Sequence, residues 1–410
     1  MKKILILLFV LLTTITTYAQ TRYLDSLFMV SKTDSAVIYG QAEAIYAPYL
    51  SEGWTWTQDL LMDIYQPQGD IETVRPCILF VHGGAFYVGA RDDASPVNVC
   101  KDMVEKGYVA VSIDYRLGFN TLSSESAERA VYRGVQDVKA AIRFLKENQA
   151  TYGIDTSRIF GMGSSAGSVA LIHAAYMEDD ERANITSTFN TPDLNCLSCS
   201  GNTLSHNDKP TVLANLWGAI VDTNFIEAGD APMVSFHGTD DIIVSPDSAK
   251  PFNSPFFPAL SGTNYMTPRL ENLGINTAYY KFYGQGHEPW GVLSETPYYD
   301  TIINQTTLFF YNYLQQNSSF SLAQKSNFQN FKIYPNPVTD FVNINLEVNE
   351  NGRGNMLIYS TLGQIIQTES INIIQGKNHL KTNISHLKNG YYYLVIEINN
   401  QRISKMIFKK

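Results

Sequence analysis

Clustered positive charge, cysteine, histidine and long apolar runs are all scarce in this chain of 410 residues, and each scarcity excludes something. The apolar run Ile4 to Leu12 has nine residues, whereas a helix needs roughly twenty to cross a bilayer. Lys2 and Lys3 precede it and Thr17-Tyr18-Ala19-Gln20 follow it, so residues 1–19 read as a secretory signal peptide cleaved after Ala19. Gln20, and not a cysteine, stands directly after that point, which argues against a lipid anchor. The mature form is therefore expected to be exported and to lack a membrane span.

Charged residues make up 17% of the chain and leave a net charge of −9. Residues 331–410 hold nine Lys/Arg against five Asp/Glu, so with the two leader lysines set aside residues 21–330 carry −15. Nucleic acid and anionic membranes bind clustered positive charge. An acidic body excludes both as partners, and a neutral substrate is the expectation. Of four cysteines, Cys196 and Cys199 fall in a polar loop where a local disulfide suits an exported chain, two free thiols being the alternative. No second pair of ligands lies near them for zinc. Cys77 lies in an apolar strand and Cys100 in a helical stretch, and both read as packing residues. No metal and no cofactor is expected.

At this length two domains, one of them large, are the natural expectation. From 55 to 315 strand and helix patterns alternate. Asp59 to Tyr65, Pro76 to Val81 and Tyr108 to Ile113 read as strands, as do 158–162, 212–220, 232–237 and 277–283. Helices are predicted at Val97 to Glu105, from an N-cap at Ser126 over about twenty residues, from Ser165, and at 301–315. Such alternation predicts an α/β fold, a mostly parallel sheet with helices on both faces. Sites in such sheets gather at the carboxyl ends of the strands.

Gly163-Ser164-Ser165-Ala166-Gly167 stands at one of those ends. A strand-to-helix turn this sharp strains its middle residue, and glycines on both sides remove the Cβ atoms that would collide there, holding the Ser165 hydroxyl out as a nucleophile. A serine nucleophile needs a base, and only seven histidines are available. His82 and His237 end strands, His173 lies in a helix, His206 in an irregular stretch, and His379 and His386 in the C-terminal segment. His287 remains, on a glycine-flanked loop after the last strand. The acid should lie between serine and histidine in sequence, at His237-Gly238-Thr239-Asp240-Asp241. Asp241 is favoured over Asp240 because an apolar run follows it, and Asp247 comes third. Backbone amides of Ala166 and of His82-Gly83-Gly84-Ala85-Phe86 are the candidates for stabilising negative charge on a substrate oxygen.

Taken together, these segments, with Asp114-Tyr115-Arg116-Leu117 and Tyr152-Gly153-Ile154-Asp155, resemble the ordered signatures of α/β-hydrolase-fold carboxylesterases. The chain is most similar to secreted bacterial esterases that include feruloyl and acetyl-xylan esterases, over roughly residues 55–315. The resemblance implies a catalytic domain over 20–315, a Ser165-Asp241-His287 triad, and an oxyanion hole from the amides of Gly83, Gly84 and Ala166. Many relatives carry a third glycine where this chain has Ala85. Asp114, Arg116, Arg133 and Asp137 are expected to be structural ion pairs or hydrogen-bonded supports and not participants in the chemistry. The stretch 179–210 is expected to lie over the site as a lid, and Trp54, Trp56, Tyr87 and Trp290 are candidates to line a substrate pocket.

Composition changes after 315. Residues 316–330 read as a polar linker, and short alternating strands beyond it predict a small C-terminal antiparallel β-sandwich over 331–410. Lys332-Ile333-Tyr334-Pro335-Asn336-Pro337, Leu362-Gly363-Gln364, Leu387-Lys388-Asn389-Gly390-Tyr391-Tyr392 and the basic end Lys405 to Lys410 resemble the C-terminal sorting domain of the type IX secretion system of Bacteroidetes. That implies passage across an outer membrane with the secretion machinery as partner. The expected activity is a serine carboxylesterase acting through an acyl-enzyme on a small-molecule or polysaccharide ester. A serine exopeptidase on the same fold and a non-catalytic surface adhesion protein are the alternatives.

Overall fold

The computed structural model describes residues 21–181, 191–291, 296–316, 328–360, 365–398 and 401–410. The signal-peptide segment, most of the linker and Leu362-Gly363-Gln364 fall outside them. The first elements are β1 (Met29–Ile45), β2 (Thr55–Gln68), β3 (Arg75–Val81), α1 (Ala94–Glu105), β4 (Val109–Ile113), α2 (Ser124–Glu147), α3 (Gln149–Tyr152), β5 (Ile154–Ser164) and α4 (Ala166–Tyr176). They are followed by β6 (Val212–Leu216), β7 (Met233–Gly238), a short ribbon of β8 (Ser248–Ala249) and β9 (Leu260–Ser261), α5 (Thr263–Asn272), β10 (Thr277–Phe282) and α6 (Pro297–Gln316).

Eight strands form one sheet in the order β1-β2-β4-β3-β5-β6-β7-β10. From β4 to β10 neighbours run parallel, while β1 and β2 pair antiparallel and β2 joins β4 antiparallel. Every residue of β3 and β4 is buried, as continuous apolar runs in a sheet covered on both faces require. One core cluster, including Val135, Leu171 and Leu270, lies under α2, α4 and α5; the other, including Val99, Met103, Ile302 and Phe310, lies under α1 and α6.

The long helix α2 begins two residues before the predicted cap. Ser123 caps it by accepting from the Ser126 N–H at 3.2 Å, which leaves the Ser126 hydroxyl free to donate to Glu52 at 2.6 Å. Four of its basic residues are buried and paired: Arg129 and Arg133 meet Glu52 at 2.6 and 2.9 Å, and Lys139 and Arg143 meet Asp208 at 2.9 and 2.7 Å. Removing one partner of such a buried pair costs about 3–5 kcal/mol. Arg116 binds Asp137 at 2.7 Å and Asp114 binds Arg91 at 2.5 Å, so the ion pairs run between elements and not within the helix.

The sequence reading placed a lid at 179–210. Its described part is instead tied down on α2 and β1: Tyr132 donates to the Asn195 carbonyl at 2.8 Å, Gln136 to that of Cys196 at 2.9 Å, and Asn202 to that of Tyr39 at 2.9 Å. Cys196 and Cys199 lie in this strap with Cα atoms 5.1 Å apart, within disulfide range.

In the C-terminal region β11 (Phe328–Tyr334), β12 (Phe341–Val348), β13 (Gly352–Ser360), β14 (Ile365–Ile373), β15 (Gly376–Asn383), β16 (Gly390–Ile398) and β17 (Gln401–Lys409) make two antiparallel sheets, β11-β12-β15 and β14-β13-β16-β17. They enclose their own apolar cluster, with Ile344, Ile358, Leu394 and Ile407 at its centre. Because β11 starts at Phe328, residues 328–330 are strand and not linker.

Candidate active site

The residues singled out at strand ends converge at one edge of the sheet. Gly163 and Ser164 close β5, and Ser165 turns the chain into α4 with φ +51° and ψ −119°. Such backbone strain costs about 1–3 kcal/mol and persists only where surroundings impose it. Here packing imposes it: a Cβ on Gly163 would lie 2.7 Å from the Ser168 nitrogen, and one on Gly167 would lie 2.2 Å from the Val81 carbonyl oxygen. The Ser165 N–H donates to the Leu216 carbonyl at 3.0 Å, and its own carbonyl accepts from Val169 at 2.9 Å. The side chain is left projecting from the start of a helix, where the dipole is positive.

His287 reaches Ser165 from the loop after β10, its Nε2 standing 2.8 Å from the serine Oγ. On the far side of the ring, Nδ1 lies 2.7 Å from Asp241 Oδ2. Asp241 is buried, whereas Asp240 is exposed and accepts only a neighbouring threonine hydroxyl at 2.8 Å. The N–H groups of Ile243 and Val244 donate to Asp241 Oδ1 at 2.9 and 3.0 Å. His237 adds a contact of 3.4 Å to Oδ2. Burial works against the charged carboxylate, but the hydrogen bonds and charges of His237 and His287 outweigh it and hold the Asp241 carboxyl well below the usual range. A permanently ionised Asp241 keeps the His287 proton on Nδ1 and leaves Nε2 to accept from the serine.

Beside them the loop after β3 offers unused donors. Among the described residues the backbone N–H groups of Gly83, Gly84 and Ala166 donate no backbone hydrogen bond. Tyr115, which the sequence reading quoted only as part of a motif, sets their direction. Its hydroxyl donates to the carbonyls of His82 and Gly83 at 3.0 and 3.3 Å, and the His82 ring, stacked on Tyr115 at 4.5 Å, donates through Nδ1 to the Gly83 carbonyl at 2.6 Å. In a trans peptide the carbonyl and the next N–H point opposite ways. Fixing those two carbonyls therefore fixes the Gly83 and Gly84 amides on the other side. Gly84 takes φ +108°, and Ala85 and Phe86 follow at +55° and +58°, so Ala85 adopts the left-handed turn that a third glycine serves elsewhere.

Glu288 also went unnoticed in the sequence. It follows His287 with φ +54°, and its Oε1 makes a long contact of 3.4 Å with the Ser164 hydroxyl, which in turn accepts from Trp217 Nε1 at 3.2 Å. This ties the histidine loop to the elbow and to the end of β6. The four aromatic pocket candidates divide differently from expectation. Trp290 is core, packed on Trp217 at 5.0 Å, while Trp54, just before β2, and Trp56, on β2, are exposed. Tyr87 packs on Phe119 at 5.7 Å at the edge of the site. Next to Ser165 there is an apolar cavity walled by Phe86, Phe119, Val169, Ile243, Phe252 and Phe257. The last two come from the segment between β7 and α5, which no sequence signal marked. Among the described residues no group of His, Cys, Asp and Glu is arranged to hold a metal ion.

Residues 62–198 match the BD-FAE family, and residues 332–410 match the secretion system C-terminal sorting domain. The chain thus joins a segment similar to the BD-FAE family to one similar to the sorting domain. The first match takes in the elbow and the His82 to Phe86 loop and ends before Asp241 and His287. Among curated relatives, Gut esterase 1 of Caenorhabditis briggsae is 33% identical over 27% of this chain and 20% of its own length. Esterase-5A of Drosophila persimilis is 30% identical over 30% and 22%, and the neuroligin-like protein glit-1 of Caenorhabditis elegans is 29% identical over 30% and 17%. The chain thus spans about a fifth of the length of the curated relatives it matches. Of solved structures, a truncated carbohydrate esterase from gut microbiota aligns with TM-score 0.47 at 18% identity, covering 70% of this chain and 97% of that one. Esterase Est2 of Thermogutta terrifontis aligns with TM-score 0.44 at 20% identity, covering 65% and 91%.

Proposed function

We propose that this chain is an exported serine carboxylesterase that hydrolyses a neutral ester through an acyl-enzyme on Ser165. The observation that carries the reading is the contact series from Ser165 Oγ through His287 to Asp241, at 2.8 and 2.7 Å, beside three amides that donate no backbone hydrogen bond. His287 Nε2 takes the serine proton as Oγ attacks the ester carbonyl carbon, and Asp241 stabilises the imidazolium that forms. The carbonyl oxygen, now negative, is received by the N–H groups of Gly83, Gly84 and Ala166, donors already in place before reaction. Collapse breaks the bond to the alcohol, which leaves with the proton from His287. Water then repeats the sequence on the acyl-enzyme, with His287 as base, and releases the acid.

The BD-FAE match supports an ester over a peptide bond; the sequence resemblance brings acetyl and feruloyl esters of plant polysaccharide as the candidate substrates, between which the cavity beside Ser165 discriminates by size. The sorting domain supports export to the cell surface or beyond by type IX secretion, with 1–19 as leader and 316–330 as linker to the tail. Replacing Ser165 with alanine should abolish turnover of p-nitrophenyl acetate while the circular dichroism spectrum stays that of the parent. Retained turnover would overturn the proposal. Activity on dipeptidyl amides but not on esters would favour the exopeptidase instead.

A further inference from the structure

We infer that Phe252 caps the cavity beside Ser165 and restricts the acyl group to a short aliphatic chain, an assignment that rests on Ser165 being the nucleophile. Ser165 and Ala166 both line the cavity, so an ester carbonyl held by the nucleophile and the Ala166 amide stands at its mouth. Beyond them every lining residue is apolar. The cavity proper is about 60 Å3, within a concavity of about 550 Å3 counted out to open solvent. The smaller figure governs what can be buried, since the larger includes room that water already fills. A dry apolar cavity that admits benzene measures about 150 Å3. The cavity therefore has less than half the volume of one known to admit an aromatic ring, and suits a short aliphatic group. A hydroxycinnamoyl group would also leave its phenol without a hydrogen-bond partner inside it.

The cap is built on strained backbone. Phe252 sits at φ +56° and ψ 15°, and Asn253 follows at φ +52°, a region that bulky side chains avoid. It is held there by its N–H, which donates to the Ile243 carbonyl at 2.9 Å, by the β8–β9 ribbon, and by the bridge from Ser261 to Ile220. From this position the rings form a row, Phe252 to Phe257 at 5.6 Å and Phe257 to Phe119 at 5.7 Å. Phe119 is buried while Phe252 is 45% exposed. A half-exposed ring on strained backbone does little for the core, and its place is explained by the space it closes. Its removal opens the cavity outward without hollowing the interior.

The test compares kcat/KM for p-nitrophenyl acetate, butyrate and octanoate and for methyl ferulate in the parent, Phe252→Ala and Phe252→Gly, with fluorophosphonate titration counting active serines in each. Glycine suits the left-handed backbone and keeps the comparison valid where alanine distorts the loop. The parent should prefer acetate and butyrate over octanoate by at least roughly tenfold, the scale on which an apolar pocket discriminates by size, and both variants should raise the octanoate-to-acetate ratio by roughly tenfold. Efficient turnover of methyl ferulate or octanoate by the parent would overturn the assignment, as would a ratio in both variants within about twofold of the parent's. Absence of both labelling and acetate turnover would overturn the nucleophile reading itself, a separate result.

Discussion

Replacing Gly167 with alanine sets two effects of opposite sign against each other. Gly167 is the second residue of α4, and in a helix interior alanine is preferred over glycine by about 1 kcal/mol. Sterics oppose it. The added Cβ would fall 2.2 Å from the Val81 carbonyl oxygen and 2.3 Å from that of His82, where ordinary contact begins at 3.4 Å. A separation of about 1.2 Å, the difference between 3.4 and 2.2 Å, has to be found between the end of β3 and the start of α4. Overpacking of this kind costs about 1–3 kcal/mol, so after the helix preference is deducted stability should fall by about 0–2 kcal/mol and the protein should remain folded. Activity should suffer far more. The two segments pushed apart carry Ser165 on one side and the Gly83 and Gly84 amides on the other, and a misplacement of about 1 Å costs on the order of 10² in rate. The assay is kcat for p-nitrophenyl acetate measured beside the thermal midpoint. A folded variant with kcat within about threefold of the parent would refute the claim that close packing of β3 on α4 sets the reacting geometry.

Two further outcomes follow from residues near the site. Tyr115→Phe removes the hydroxyl that fixes the His82 and Gly83 carbonyls, so kcat should drop roughly tenfold with little change in KM, a partial version of losing an oxyanion donor; an unchanged kcat would contradict the orientation argument. His173 is fully enclosed, donates through Nδ1 to the Val169 carbonyl at 2.7 Å and accepts from the Val221 N–H at 3.2 Å, and burial pushes its pKa down from 6.5 to about 4. Above pH 6.5 it is neutral folded or unfolded and contributes no pH dependence. As pH falls from there towards 4 the unfolded chain binds a proton that the folded chain refuses, so stability should decline by about 3 kcal/mol in total. Urea unfolding of His173→Gln across that range should show a flatter slope than the parent, and equal slopes would contradict the assignment.

How much could be read from the residues depended on whether the signal was local. The wholly apolar run of β3, the glycines about Ser165 and the elimination of histidines down to His287 each sit within a few residues, and the structure brings the named side chains within hydrogen-bond distance. By contrast β1 escaped notice because it is an edge strand whose polar and apolar residues alternate unevenly around bulges. Helix α5 carries Pro268 and mostly polar residues, which hides its period. The described part of 179–210 does not act as the expected lid because its polarity reflects groups that bind α2, a partnership visible only in three dimensions. Tyr115 and Phe252 act through carbonyls and through empty space, and neither leaves a pattern in a sequence. Asp240 and Asp241 are adjacent and chemically alike, so only the fold distinguishes the buried one from the exposed one.

The central claim is that Ser165 is a nucleophile activated by His287. Treating the purified protein with a fluorophosphonate, digesting it and locating the adduct by mass spectrometry tests this most directly. The account predicts a single adduct on the peptide containing Ser165, formed at the same rate at which turnover of p-nitrophenyl acetate is lost, and no adduct in Ser165→Ala. An adduct on another residue, or ester turnover that persists after Ser165 is fully modified, would contradict it.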